Sequence, residues 1–273
     1  MVKALVLALF FTFYLSPPAH AGHGKPVSPC KINHPSDNTL SWKCRLIKPG
    51  VNLETLFGDR WEDLLRFNRI DRRHVQKGAY LKVPDDLDRI AGFSPLPPEY
   101  PAGENEPKLI LLDLAEQYLG AYENGHLVFS MPAATGGPAN ETPEGTFRID
   151  AVHRVRDSSL YTIEKTDIPY PMRWALRFFI DREGVSYWIH GRDLPGYPGS
   201  HGCVGLYDEA MQKEFYGNPK EPRLLDAKML YDWVIGSLPE EERIKQVLDP
   251  FPGGPPLIVT GKARLAGSKR IMK

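Results

Sequence analysis

Trp188-Ile189-His190-Gly191-Arg192-Asp193-Leu194-Pro195-Gly196-Tyr197-Pro198-Gly199-Ser200-His201-Gly202-Cys203-Val204-Gly205-Leu206 is the stretch on which the reading of this chain turns. An apolar, extended segment delivers His190 at its end, and a loop rich in Gly and Pro reverses the chain. Cys203 is then expected where a helix is about to begin, with its thiol within hydrogen-bonding reach of the imidazole. An ordinary cysteine, with a pKa of about 8.5, is mostly protonated at neutral pH. A nucleophilic one therefore needs a base or a positive helix end beside it. The stretch predicts both. The N–H groups of Gly202 and Cys203, just ahead of the expected helix, are predicted to face a tetrahedral oxyanion, where each donor is worth about 3 kcal/mol. Reading His190, His201 and Cys203 as zinc ligands fails on spacing, because 201 and 203 are too close and no fourth ligand presents itself.

Working outward, the flanks read as strands. Leu109–Leu114 and Gln117–Tyr122 precede Asn124-Gly125, a hairpin signal, and His126–Met131 follows it. Leu176–Ile180 and Val185–Ile189 flank Glu183-Gly184 as a second hairpin. Helical periodicity appears late, over Asp208–Phe215 and Arg223–Leu238, before a last extended Leu257–Thr260. The region is predicted to be mainly β with a few helices. It contains no Walker loop, no dinucleotide glycine fingerprint and no Cys-x-x-Cys pair. His74, His126 and His153 have no comparable context and read as surface or packing histidines. Trp174, Tyr187 and Trp188 read as core aromatics, Trp174 being the one expected nearest a cleft.

The His-Gly, loop, Ser-His-Gly-Cys order closely resembles the motif of the L,D-transpeptidase, or YkuD, family. Thr142-Pro143-Glu144-Gly145-Thr146-Phe147 and Ile168-Pro169-Tyr170-Pro171-Met172-Arg173-Trp174 agree with the same resemblance, which spans about 108–262. It implies a β-sandwich or barrel catalytic domain, with Cys203 as the acyl-accepting nucleophile and His190 as general base and acid. The Gly191 carbonyl would orient the imidazole, and Ser200, His201 and Gly202 would shape the loop and the oxyanion site. Tyr170, Arg173, Trp174 and Arg192 are the implied substrate contacts. The implied reaction cleaves a peptidoglycan tetrapeptide stem, releases D-Ala and forms a cross-link, with no cofactor and no metal. Water as acceptor would make a carboxypeptidase, a lipoprotein lysine would make a ligase, and a degenerate site would leave a peptidoglycan-binding protein. Two residues after the cysteine, where the family usually has Arg or Asn, this chain has Gly205.

Between Leu46 and Pro84 the pattern is strand, helix, helix, strand. Ile47-Lys48-Pro49-Gly50, Trp61–Asn68 and Gly78–Pro84 resemble a LysM module, a small α+β (βααβ) domain that binds glycan strands; this unit is expected over 42–86. Val51 and Asn52 replace the small polar residues usual after its first Gly. Residues 87–107, with Pro95, Pro97, Pro98, Pro101 and Pro107, read as a semi-rigid linker to a catalytic domain over 108–262. A basic tail, 263–273, is expected to be solvated.

Residues 1–21 follow the order of a secretory signal peptide: Lys3, the apolar run Ala4–Leu15, and Ala19-His20-Ala21. Export predicts a periplasmic, soluble protein without a transmembrane segment after cleavage, in an oxidising compartment. There Cys30, in an N-terminal segment over 22–41, and Cys44 lie either side of the turn-rich Lys31–Ser41 and are expected to pair as a disulfide, a closure of about 3 kcal/mol in the chain-entropy model. Cys203 is left as the free thiol. With 273 residues there is room for one good core and a smaller module. Basic and acidic residues number 34 each, so neither an electrostatic nucleic-acid footprint nor charge-driven disorder is expected.

Overall fold

The computed structural model describes residues 27–163 and 166–266. The signal sequence expected at 1–21 and most of the basic tail lie outside the described residues.

The first strand, β1 (Trp42–Ile47), is followed by three short helices, α1 (Leu53–Phe57), α2 (Trp61–Asn68) and α3 (Arg72–Gln76), and then β2 (Ala79–Pro84). β2 returns antiparallel to β1, with Ile47 opposite Ala79. Asn52 caps α1 by accepting from the Thr55 amide at 2.9 Å, and Asp71 caps α3 by accepting from the His74 amide at 2.8 Å. The third helix is absent from the sequence reading because Arg72-Arg73-His74-Val75-Gln76 buries only Val75, too little for periodicity to register. Trp61, Leu64, Leu65 and Phe67 of α2 fill the local core. Cys30 and Cys44 are joined, as expected, with their Cα atoms 5.9 Å apart.

The remaining strands form two five-stranded sheets and one small ribbon. β3 (Leu109–Asp113), β4 (Tyr118–Glu123), β5 (His126–Pro132) and β6 (Gly145–Arg148) belong to the first sheet. β7 (Ala151–His153) starts the second, β8 (Asp157–Thr162) and β9 (Pro169–Pro171) pair with each other, and β10 (Ala175–Ile180), β11 (Ser186–Arg192) and β12 (Val204–Tyr207) continue the second sheet. Helices α4 (Glu209–Tyr216), α5 (Asp226–Ile235) and α6 (Glu240–Arg243) lead to β13 (Val247–Leu248) and β14 (Pro256–Thr260). The strand orders are β5-β4-β3-β14-β6 and β12-β11-β10-β7-β13. The chain is thus mainly β with a few helices.

One core joins these sheets. Ile110, Leu112, Leu119 and Met131 from the first meet Leu176, Phe178, Ile189, Val204 and Leu206 from the second, and Leu230 and Val234 of α5 close the side. Each such side chain, fully buried, stabilises the fold by about 1.5–3 kcal/mol before conformational entropy is counted. Among the described residues no helix is long and apolar enough to cross a membrane.

The proline-rich segment lies against the sheet rather than standing free of it. Ile90 and Leu96 are buried, the Leu127 amide donates to the Pro98 carbonyl at 2.9 Å, and Tyr122 donates its hydroxyl to the Pro97 carbonyl at 2.8 Å. The N-terminal elements also share a core with Leu194, Tyr207 and Leu224. Arg66 pairs with Asp226, Arg72 with Glu209 and Arg73 with Asp193 across the same boundary.

Candidate active site

β11 alternates its side chains between two faces, as any strand does. Ile189 points into the main core, while Trp188 packs against Cys203 in a separate small cluster with Ala151, Met172 and Ala175. β12 runs parallel to β11 with Val204 beside Ile189 and Gly205 beside His190. That register sets Cys203 alongside Trp188, on the face that also carries His190 and Arg192. The thiol and the imidazole are therefore diagonal neighbours on one sheet face.

Cys203 precedes a strand, not the helix expected from sequence. Val204–Tyr207 is taken up by pairing with β11, and α4 begins only at Glu209, where Asp208 accepts from the Met211 amide at 3.0 Å as its N-cap. No helix begins at the thiol. Burial, the largest effect, raises the Cys203 pKa above the ordinary thiol value, and a main-chain hydrogen bond from Trp188 and the charges of Arg192 and Arg156 oppose it only in part.

His190 is 4% exposed, and its Nδ1 donates to the Gly191 carbonyl at 2.8 Å, which leaves Nε2 as the basic nitrogen. Burial pushes its pKa down to about 4, with Arg192 adding to the depression and the Gly191 bond opposing it. The resting pair is consequently a neutral thiol and a neutral imidazole. The hydrogen bonds of both side chains run to main chain rather than to each other.

The loop between the two strands is held from inside. The Ser200 hydroxyl accepts from the Gly202 amide at 3.1 Å and donates to the Cys203 carbonyl. Thr142 donates its hydroxyl to the Gly202 carbonyl at 2.8 Å and accepts from the Gly136 amide at 2.9 Å. The Gly202 N–H, expected to face an oxyanion, is thereby committed to Ser200. Gly202 has φ +108°, and a Cβ there would lie 2.5 Å from the Tyr187 ring, so only glycine fits. His201 stacks on Tyr161 of β8 with ring centroids 4.1 Å apart.

The other expected site residues separate. Tyr170 is close, its hydroxyl oxygen accepting from the Asp193 amide at 3.4 Å. Arg173 pairs with Glu214 at 3.2 Å, while its carbonyl accepts from the Gly191 amide. Trp174 packs against Tyr231 of α5, with centroids 5.5 Å apart, on the main core rather than in the Cys203 cluster. Arg192 lies across Gly205 and donates to the Gly199 carbonyl at 3.0 Å. Sequence reasoning missed Arg156 and Tyr161, which approach from β8 and the residue before it; no local spacing ties that segment to residues 190–203. It also missed Asp71, which accepts from the Leu194 amide at 2.7 Å, and Gln212, which donates to both Asp71 and Asp193. Among the described residues no three His, Cys, Asp or Glu side chains converge as metal ligands.

Residues 107–235 match the family model of YkuD, the L,D-transpeptidase catalytic domain. The YkuD match takes in β3 through α5 and contains the whole His190–Cys203 loop. Solved structures carry the same family name. An LD transpeptidase, LdtMt1, in complex with imipenem is 22% identical over 56% of this chain and 59% of that one, with a TM-score of 0.36. The L,D-transpeptidase (Yku) from Stackebrandtia nassauensis is 19% identical over 76% and 69%, with a TM-score of 0.39. L,D-transpeptidase 1 from Mycobacterium tuberculosis is 20% identical over 57% and 62%, with a TM-score of 0.33. The chain spans about three fifths of the length of the first of these. No curated protein matches it.

Proposed function

We propose that this chain is a periplasmic L,D-transpeptidase that cross-links peptidoglycan through an acyl-enzyme on Cys203. The observation that carries the reading is a free thiol on the same sheet face as a buried imidazole whose tautomer is fixed by the Gly191 carbonyl. Cys203 Sγ attacks the L-centre carbonyl of a tetrapeptide stem as His190 Nε2 takes the thiol proton. The Cys203 amide is the loop donor assigned to the oxyanion, since that of Gly202 is engaged. Collapse breaks the C–N bond, His190 returns the proton to the leaving nitrogen, and D-Ala departs. An acceptor amine, a diaminopimelate side chain, then attacks the thioester, loses its proton to His190 and releases the thiol with a 3→3 cross-link. The neutral resting pair suits this sequence, because the proton moves only as the bond to carbon forms.

The N-terminal unit is assigned LysM-type contact with glycan strands. In support, a cavity of about 530 Å³ opens between Gly50-Val51-Asn52 and the Arg73–Lys77 helix end, with Asn218 at its edge. Retention of the Cys203→Ala chain on sacculi at wild-type levels is the expected outcome.

The test is product analysis after incubating the full chain with tetrapeptide-rich sacculi. Wild type should yield 3→3 dimers and free D-Ala, and Cys203→Ala neither. Tripeptides alone would assign a carboxypeptidase and lipoprotein-linked stems a ligase. Unchanged muropeptides with wild type would overturn the reading.

A further inference from the structure

We propose that Gln117 is a positioning residue for the nucleophile: its buried side-chain amide fixes the segment that cradles the Ser200–Cys203 turn, and so sets where the Cys203 thiol sits. The inference rests on the acyl-transfer reading for the reaction the thiol performs, but the framework itself stands on geometry. Gln117 ends the turn between β3 and β4, is 1% exposed and has φ +52°, a left-handed backbone that residues with a side chain rarely adopt. The turn is held there by the N-terminal unit. Arg69 donates from Nε to the Glu116 carbonyl and from Nη2 to the Glu116 carboxylate, both at 3.0 Å. Ser36 donates its amide and its hydroxyl to the same carboxylate at 2.8 and 2.6 Å.

From this braced turn Gln117 grips the stretch after β5. Its Nε2 donates to the Thr135 hydroxyl at 2.7 Å and to the Leu114 carbonyl at 2.9 Å, and its Oε1 accepts from the Thr135 amide at 3.0 Å. Its main-chain carbonyl accepts from the Ala133 amide at 2.8 Å. The position thus requires a donor and an acceptor on one side chain, which a primary amide supplies; an ionised Glu has no donor and Met has neither.

Residues 134–137 in turn hold both ends of the nucleophile's turn. The Ser200 amide donates to the Thr135 carbonyl at 3.0 Å, and the Ser200 carbonyl accepts from the Gly137 amide at 2.9 Å. Ala134 and Gly205 exchange amide-to-carbonyl bonds at 2.9 Å each. Cys203 lies between these anchors, and its carbonyl accepts from the Ser200 hydroxyl. A shift of the fully buried Thr135 is therefore passed to the main chain on both sides of the thiol. An error of about 1 Å in a reacting group can cost about 100-fold in rate.

The experiment measures acylation of Cys203 in the full chain for the parent, Q117M, T135V, T135S and the Q117M/T135V double variant, each at a temperature where it is folded. The acyl donors are a tetrapeptide acid ending in D-Ala and p-nitrophenyl acetate, an activated ester whose carbonyl the thiol attacks with loss of p-nitrophenolate. Ester rates are corrected with the Cys203→Ala chain, and peptide binding is measured on the Cys203→Ala background. Q117M should slow both acylations by about 30-fold and T135V by about fivefold, with the peptide Kd within about twofold of the parent's. T135S, which keeps the hydroxyl, should recover most of the rate, and the double variant should be no slower than Q117M because both changes act through one contact. A residue that only stabilises the fold would lower the melting temperature and leave these rates in place. Parent-like acylation by folded Q117M, or by T135V where Q117M does not fold, overturns the proposal, as does a loss confined to Kd. Ester acylation that depends on Gln117, without any peptide thioester on the parent, would support the positioning role and overturn the acyl-transfer reading instead.

Discussion

At the scale of single residues, the burial of His190 decides how the site responds to pH. With its pKa near 4, the imidazole remains a base through the whole neutral range. Protonation removes that base only as pH falls through about 4, so the acid limb of the acylation rate should lie there and not near the ordinary histidine value of about 6.5. A pH–rate profile of acyl-enzyme formation checks this; an acid limb with its midpoint between 6 and 7 would mean that the imidazole titrates at its ordinary value and would contradict the effect of burial. Gly202 gives a second prediction. Gly202→Ala places a methyl against the Tyr187 ring at a backbone φ of +108°. It should cost at least about 1–3 kcal/mol in thermal unfolding experiments, with activity falling alongside. His190, Gly191, Ser200, His201, Gly202 and Cys203 were readable as one group from sequence because they fall in one short stretch, the end of β11 and the loop after it. Arg156 was not, since only the pairing of distant strands brings it to Trp188.

At the scale of elements, the stretch after Cys203 shows where a one-dimensional pattern runs out. Val204-Gly205-Leu206-Tyr207 is too short for strand and helix to be told apart by periodicity. The parallel partner β11 decides for strand, and Asp208 then starts α4. Asp208 is 2% exposed, its Oδ2 has no partner, and burial raises its pKa from 3.8 to about 6. A raised carboxyl pKa means that the folded chain holds this proton more tightly than the unfolded one. Its contribution to stability therefore declines as pH rises from about 4 to about 6 and stays lost above that. Asp208→Asn keeps a capping oxygen and removes the charge. It should be more stable than wild type at pH 7.5, by on the order of 3 kcal/mol at most, with the advantage gone at pH 4. Denaturant unfolding at the two pH values tests the sign. The loop itself is braced by α3: Arg73 forms two hydrogen bonds to Asp193, three residues after His190. Arg73→Ala should lower kcat more than it changes KM, because it loosens the loop without touching the peptide.

At the scale of the molecule, the mainly β character and the two hairpins, β4–β5 and β10–β11, were readable from turns and alternation, while the order of strands in the two sheets was not. Nor was the docking of the N-terminal unit. Its contacts come from Arg66 of α2 and from Arg72 and Arg73 of the short α3, and nothing in their spacing points to a partner elsewhere in the chain. In the fold these three meet Asp226, Glu209 and Asp193, and Tyr207 donates its hydroxyl to the Leu65 and Ile70 carbonyls at 3.1 and 2.9 Å. A shared core and paired buried charges predict one cooperative unfolding transition for both parts. Calorimetry should give equal calorimetric and van't Hoff enthalpies; two resolved transitions would mean that the parts unfold independently. The whole account, from packing to chemistry, converges on one sulfur. Its most direct test is intact-mass measurement of the full chain mixed with the tetrapeptide acid. The predicted result is an adduct of the peptide minus D-Ala, mapped to Cys203, on wild type and absent from folded Cys203→Ala; an adduct that survives that substitution would contradict it.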